Sequence, residues 1–486
     1  MGILVKNILL VVCLLGTDVL FAQTWQRMPI APVNAQSMWL MRDGTVLVNE
    51  AGSNRIAILT PDQSGSYLAG TWSMGTPLPA VYAPTAFGSA VLPDGRLIFE
   101  GGEINWGEQD ETTLGAIYDP KTKAWTLVDP PAGWKTIGDA PSVVLPNGKY
   151  MQGNCCDHTL QMAILDPKTM QWTEGPNSNT VNLNEQGWTL LRDGRVLAVD
   201  LEYACNSYSS TQYFDGNKWA CGPNLPVQLW MDRNGNPELG STVLAYNGEI
   251  VQFSGSYAYG TAFFNPLFPS WHVGPTPPAG YTQDDGPSVL EPNGLILAML
   301  GTQNFNAPIC HFFEYNPYNN TLAYAPNPPE CPYQDHGGGA SRMLILPTGQ
   351  ILFADASHIL EMYTPAPGVI TAAAPIMIPP NNPLYVGSNN NSLTGMQLNS
   401  VSQGCFYGDD YQCAENYPLV ELVDGGGHVW FAPTHDDSYS GIAPGYISST
   451  LFDIPMSMPA GPYTMQVVTN GIASNAAPVT IQPANQ

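Results

Sequence analysis

Residues 88–102 read Gly-Ser-Ala-Val-Leu-Pro-Asp-Gly-Arg-Leu-Ile-Phe-Glu-Gly-Gly, two apolar runs hinged on Pro93-Asp94-Gly95. A third run, Leu114 to Tyr118, ends in Asp119-Pro120, and Trp125 follows on a short segment of its own. Four strands joined by tight turns is the natural reading. The pattern then recurs along the chain. Turn glycines flanked by apolar runs stand at Gly44, Gly95, Gly148, Gly194, Gly248, Gly294 and Gly349. Apolar stretches ending in a breaker stand at Thr60-Pro61, Asp119-Pro120, Asp166-Pro167, Asp215-Gly216, Asn265-Pro266, Asn316-Pro317 and Thr364-Pro365. Trp25, Trp72, Trp125, Trp172, Trp219, Trp271 and Tyr324 keep the same beat, 47 to 53 residues apart. Three series in phase predict an all-β fold, a seven-bladed β-propeller with one four-stranded blade per repeat. Alternation is weak on the inner strands because both faces are buried against neighbouring blades.

The last repeat has no outer strand of its own, and the first begins with an orphan one around Trp25. Pairing the two would close the ring and remove its free sheet edges. The propeller is therefore expected over 23–368. From 369 to 486 the beat is lost, but short apolar runs continue, with a hairpin pattern at Pro459-Ala460-Gly461-Pro462-Tyr463 and Asn470-Gly471. This reads as an immunoglobulin-like β-sandwich.

The 48 Gly, 45 Pro and only 11% charged residues fit a turn-rich β protein. A net charge of -25 repels phosphate backbones and anionic surfaces, which argues against a nucleic-acid partner. Residues 1–22 combine Lys6, an apolar run from Ile8 to Leu20 and a small Ala22, the pattern of a signal peptide. A secreted, extracellular or periplasmic protein is expected, without a membrane span and as a monomer. Loss of Cys13 leaves eight of the 9 cysteines. Neighbouring positions suggest Cys205–Cys221, Cys310–Cys331 and Cys405–Cys413, with Cys155 and Cys156 either a vicinal bridge or a free pair. The sequons Asn319-Asn320-Thr321 and Asn390-Asn391-Ser392 matter only in a glycosylating host.

Leu92-Pro-Asp-Gly95, Phe99-Glu-Gly-Gly102 and the Asp-Pro…Trp blade endings, with the C-terminal domain behind them, resemble the galactose oxidase and glyoxal oxidase family of kelch propellers. The resemblance covers nearly the whole mature chain. It implies a copper-radical site at the mouth of the innermost strands, with a cross-linked Cys–Tyr pair and a Tyr-His pair about nine positions before the turn glycines. Those positions here hold Ala35, Ala86, Asp139, Glu185, Leu239, Asp285 and Ala340, and blade 7 reads Gly339-Ala340 where the family has Tyr-His. A copper-radical centre of that kind is not expected. Trp106 matches the family's stacking tryptophan. His435 matches a hairpin that sends a histidine ligand up the channel.

Acid replaces the oxidase ligands. Asp139, Glu185 and Asp285 occupy equivalent positions, with Glu238 and Asp284 one place earlier in their blades, so they should converge on one axial mouth. Three readings stay open: a carboxylate pair for acid/base catalysis, an oxygen-rich metal site, and a solvated acidic rim. With His435, the trio would suit Ca²⁺ or Mn²⁺ better than copper. No cofactor is required by the sequence. Loops opening on the same face bring Glu103, Trp106, Cys155, Cys156, Asp157, His158, Glu202, Tyr203, Tyr257, Tyr259 and His358, and Asp335-His336 precedes three glycines. Aromatic rings among carboxylates suit the faces and hydroxyls of a sugar. Loop cores and ordinary polar turns would use the same residues. Zinc, serine-hydrolase and phosphate-loop spacings are missing. The expectation is a secreted protein that binds, and in one version cleaves, a carbohydrate at the mouth. The alternatives are a copper-radical oxidoreductase with a displaced site and a non-catalytic adhesion or scaffold protein.

Overall fold

Each hinge between first and second strands is built the same way. All seven turn glycines adopt positive φ, from 76° at Gly349 to 90° at Gly294, a backbone region open to glycine at little cost. The residue before each of them fastens the turn through its side chain. Asp43, Asp94, Asn147, Asp193, Asn247 and Asn293 accept the N–H two residues on at 2.9–3.1 Å, and Thr348 does so at 3.4 Å.

The computed structural model describes residues 23–484 apart from 157–159, 181–182, 185, 202, 231–237, 256–259, 279–280, 303–309, 330–337, 408–414 and 444. Apart from two single 3₁₀ turns, the described elements are strands. Successive antiparallel sheets are four-stranded, and that of 288–324 gains further strands. Their first strands are Ala35–Leu40, Gly88–Val91, Ser142–Val144, Trp188–Leu190, Leu239–Leu244, Ser288–Leu290 and Arg342–Ile345. These stand side by side, and the last returns to the first. The Trp39 indole N–H, bonded to Ser89 Oγ at 3.0 Å, joins the first sheet to the second. The architecture is a β-propeller.

Thr24–Arg27 pairs antiparallel with Glu361–Thr364, Trp25 opposite Tyr363, so the N-terminal strand completes the last sheet. Trp25 packs on Phe312 and Tyr363, each at 4.9 Å between ring centroids. The tryptophan beat acquires a second meaning here. Four of its indole N–H groups reach a carbonyl just beyond the outer strand of the preceding sheet: Trp25 to Pro326 at 2.7 Å, Trp72 to Pro29 at 3.0 Å, Trp125 to Thr76 at 3.0 Å and Trp172 to Asp129 at 2.8 Å, while Trp219 reaches Met162 Sδ at 3.0 Å. The repeat thus sews neighbouring sheets together at their rims.

Residues 376–482 form two further sheets around one core that includes Leu393, Leu422, Phe452, Met465, Val467 and Ile481. One sheet runs in the order Ile376–Ile378, Asn391–Met396, Ile447–Phe452, Thr434–His435. This unit docks on the turn end of the propeller through a buried ion pair, Arg42 to Asp437 at 2.7 Å, with side chains 4% and 1% exposed. Arg42 also stacks over Tyr417 at 4.8 Å.

Residues 398–407 and 415–417, between strands of this unit, run along the inner strands of the propeller. Cys405–Phe406 pairs with Ser288–Val289. Gln403 Oε1 accepts the Leu190 N–H, Ser402 Oγ donates to Leu244 O, and the Tyr417 hydroxyl donates to Leu40 O. Contacts with several inner strands at once place this segment in the channel. A cavity of about 30 Å³ lies beside it, lined by Arg42, Val91, Val144, Leu190, Asn416 and Asp437 among others.

The position of the C-terminal hairpin corrects the expectation for His435. The hairpin carrying His435 stays at the turn end, held there by Arg42, whose guanidinium reaches Thr434 Oγ1 at 3.3 Å and both oxygens of Asp437. His435 is buried between Asp436 at 2.7 Å and Asp453 at 3.1 Å. Its ring is fully engaged at the far end of the inner strands from Asp139 and Asp285, so it is not their partner in a metal site.

Candidate functional site

The mouth lies where the inner strands begin. On its third-sheet side Asp139 is buried at 3% exposure. The Asn184 amide, oriented with its nitrogen inward, donates to the two Asp139 oxygens at 2.5 and 3.0 Å. Cys155 and Cys156 are joined as a vicinal disulfide, which decides between the bridge and the free pair. Cys156 Sγ lies 3.7 Å from Asp139 Oδ1, and Cys155 Sγ lies 3.7 Å from Glu111 Oε2. Burial pushes the Glu111 carboxyl above its ordinary range. A hydrogen bond from Gln109 opposes this, and the charges of Glu103 and Asp110 add to it. Glu111 itself was not anticipated. It sits in a loop outside the repeat pattern, and its place beside Asp139 depends on packing between sheets.

Across the mouth, Asp285 comes close to the seventh-sheet position that holds glycine. A Cβ on Gly339 would lie 3.5 Å from Asp285 Oδ2 and 3.9 Å from the Tyr407 hydroxyl. The Gly339 carbonyl accepts from Tyr407 Oη at 3.1 Å and from the Arg342 guanidinium at 2.7 Å. Arg342, buried at 2% exposure, lies with its guanidinium 3.7 Å from the Tyr407 ring centre. Neither residue was singled out from the sequence. Arg342 could have been, as one of 15 basic residues and, among the described residues, the only one on an inner strand. Tyr407 could not, because it depends on the channel segment.

Exposed aromatics stand around the rim. Trp106 is 47% exposed at the tip of the hairpin Ile104–Asn105/Glu108–Gln109, with φ 55° and its indole bonded to Ala80 O at 3.2 Å. Glu103, at the base of that hairpin, accepts from Gln109 at 3.1 Å. Tyr203 packs edge-on against Tyr208 at 5.0 Å, and Tyr208 against Trp230 at 6.4 Å. The expected Cys205–Cys221 disulfide ties this loop to its sheet. His358 belongs to a different structure. Its ring bonds Ala31 O at 2.8 Å and its carbonyl accepts the Ala31 N–H at 3.0 Å, so it fastens the N-terminal arm rather than lining the mouth. Asp157, His158, Glu185, Glu202, Tyr257, Tyr259, Asp335 and His336 lie outside the described residues, as do Cys331 and Cys413, the expected partners of Cys310 and Cys405.

Among the described axial positions, then, the structure brings Asp139 together with Glu111 and the vicinal disulfide, and Asp285 together with Gly339, Tyr407 and Arg342. Such a mouth can offer hydrogen-bond acceptors, one fixed cation and stacking surfaces.

No family model matches the chain. A kelch-like protein, terF, of Aspergillus terreus is 26% identical over 182 residues, which spans 35% of this chain and 36% of that protein. The chain thus matches little more than a third of that relative. A fungal alcohol oxidase of the AA5 family, solved in complex with copper, superposes with a TM-score of 0.53 at 14% identity, covering 95% of this chain and all of that one. Fold and likeness together define a β-propeller similar to those of kelch-like proteins and AA5 oxidases. At this identity the likeness speaks for the fold alone. No helix among the described residues is long and apolar enough to cross a membrane.

Proposed function

We propose that the chain is a secreted seven-bladed kelch propeller with an immunoglobulin-like C-terminal domain. Its axial mouth binds a neutral or cationic saccharide, without the copper-radical centre of the oxidases it resembles. One observation carries this reading: Asp139 is a buried, pre-oriented carboxylate at a mouth whose rim holds the exposed rings of Trp106, Tyr203 and Tyr208. Sugars are recognised by that combination, stacking on ring faces while fixed acceptors take their hydroxyls. The described axial positions Ala35, Ala86, Asp139, Leu239, Asp285 and Ala340 supply carboxylates and no His, Tyr or Cys. Such a donor set fits hard cations and proton transfer better than a tyrosyl–copper pair.

A glycan array with the purified protein, followed by product analysis on any retained glycan, tests the reading. Retention of a saccharide, lost on replacing Trp106 and Tyr203 by Ala, is the expected result. If Asp139 only accepts hydrogen bonds, Asp139→Asn leaves affinity within a few-fold. If it transfers a proton, the same change abolishes product formation in a protein that melts normally. Absence of any retained glycan would overturn the saccharide assignment. Sustained peroxide formation from galactose or another alcohol after copper loading would restore the oxidase alternative.

A further inference from the structure

The disulfide at the mouth has an unusual setting. Cys155 Sγ, Cys156 Sγ, Glu111 Oε2 and an Asp139 oxygen all lie within 4.8 Å of one another. Each sulfur faces a carboxylate oxygen at 3.7 Å. Two donors on one tetrahedral zinc, with Zn–S near 2.3 Å and Zn–O near 2.0 Å, stand roughly 3.5 Å apart. The oxygens are thus already placed, and the sulfurs lack only their separation from each other.

Space is reserved for the group. Gly138 at φ +61° lies against it, and a Cβ there would come within 2.2 Å of Cys155 Sγ and 2.5 Å of Glu111 Oε2. Glu111 and Cys156 also hold positive φ, at 47° and 75°, without being glycine. Strained backbone of this kind clusters where a side chain must be aimed. Two carboxylates beside a disulfide bring it no hydrogen bond, since the bridged sulfurs carry no proton. Beside two thiolates they become the second half of a four-ligand set.

We propose that Cys155, Cys156, Glu111 and Asp139 form a redox-gated site for a thiophilic divalent cation such as Zn²⁺ or Cd²⁺, closed while the disulfide stands and opened by its reduction. An external dithiol breaks the S–S bond, is itself oxidised to a disulfide, and leaves two thiols on the protein. The cation then displaces both thiol protons and binds S₂O₂. Without it, two thiolates beside two carboxylates repel one another, so reduction and metal binding are linked. The proposal does not depend on what the mouth binds when oxidised.

The test is cadmium titration of the full chain before and after treatment with a dithiol followed by desalting. Thiolate-to-cadmium charge-transfer absorption and bound-metal analysis are the readouts. The reduced protein should bind one equivalent and the oxidised protein none. The Cys155→Ser/Cys156→Ser double variant should lose the site although Cys205 and Cys221 remain. Glu111→Gln, which leaves both cysteines in place, should weaken binding at least about tenfold, the scale on which even supporting groups are felt. It also serves if the double variant fails to fold. The proposal is overturned if reduced protein binds no cadmium, if the double variant binds as well as the parent, or if Glu111→Gln changes nothing. Glycan retention by the oxidised protein is scored separately, so failure of the saccharide reading and failure of the metal site can be told apart.

Discussion

Asp200 shows what burial does to one carboxyl group. It follows the strand Val196–Val199, fully buried, and accepts from Gln186 at 3.1 Å, Gln212 at 2.6 Å and Ser210 at 2.9 Å. Burial raises its pKa from 3.8 to about 7, against the opposing effect of those three hydrogen bonds. A group whose folded pKa lies above its unfolded one contributes stability fully present below the unfolded value and lost as pH rises through the folded value. Here the window runs from 3.8 to about 7. Glu100 and Glu415 are pushed well above their ordinary range by burial and act with the same sign. Urea unfolding should therefore give a free energy that falls across this window, by on the order of a few kcal/mol. Asp200→Asn should flatten part of the fall. A parent profile that rises with pH there would contradict the assignment.

At the scale of the element, the hairpin carrying His435 is held to the propeller by one buried ion pair. Arg42 and Asp437 meet through two oxygens, at 3.1 and 2.7 Å. Asp437→Ala would leave the Arg42 charge in a site that excludes water, an uncompensated burial that costs about 3–5 kcal/mol. Chemical denaturation should record that loss as a lowered midpoint. A paired apolar replacement, Arg42→Met with Asp437→Leu, should recover most of it, because the desolvation penalty leaves with the charges. A single variant as stable as the parent would show that the hairpin is held by its other contacts.

The molecule as a whole depends on a closure between its two distant ends. Thr24–Arg27 is the last strand of a sheet whose other strands lie more than 300 residues downstream, and Trp25 bonds forward to Pro326. Deleting residues 23–30 exposes a sheet edge in the last blade and unpacks Trp25 from Phe312 and Tyr363. In calorimetry the deletion should lower the melting temperature of the whole ring, not melt one sheet early. A separate low-temperature transition confined to the last sheet would show that the sheets fold independently.

The sequence by itself determined everything that repeats. Glycines that need positive φ, Asp and Asn that fasten a turn, and apolar runs of strand length act locally, so each of the seven copies announces itself. The pairing of Trp25 with the last sheet was legible for the same reason, since one end had a strand too many and the other one too few. Asp139 and Asp285 were legible as inward-facing because their positions follow from the repeat. Only the tertiary structure decided which residues meet them. Glu111, Arg342 and Tyr407 reach the mouth from a loop, a neighbouring sheet and a segment that threads the channel from the C-terminal unit. The placement of His435 between Asp436 and Asp453 was likewise tertiary, as were the bonds that join Tyr417, Gln403 and Ser402 to Leu40, Leu190 and Leu244 on the inner strands. Local chemistry fixes the blades. Occupancy of the axis is a question of packing among distant parts of the chain, and no periodicity records it.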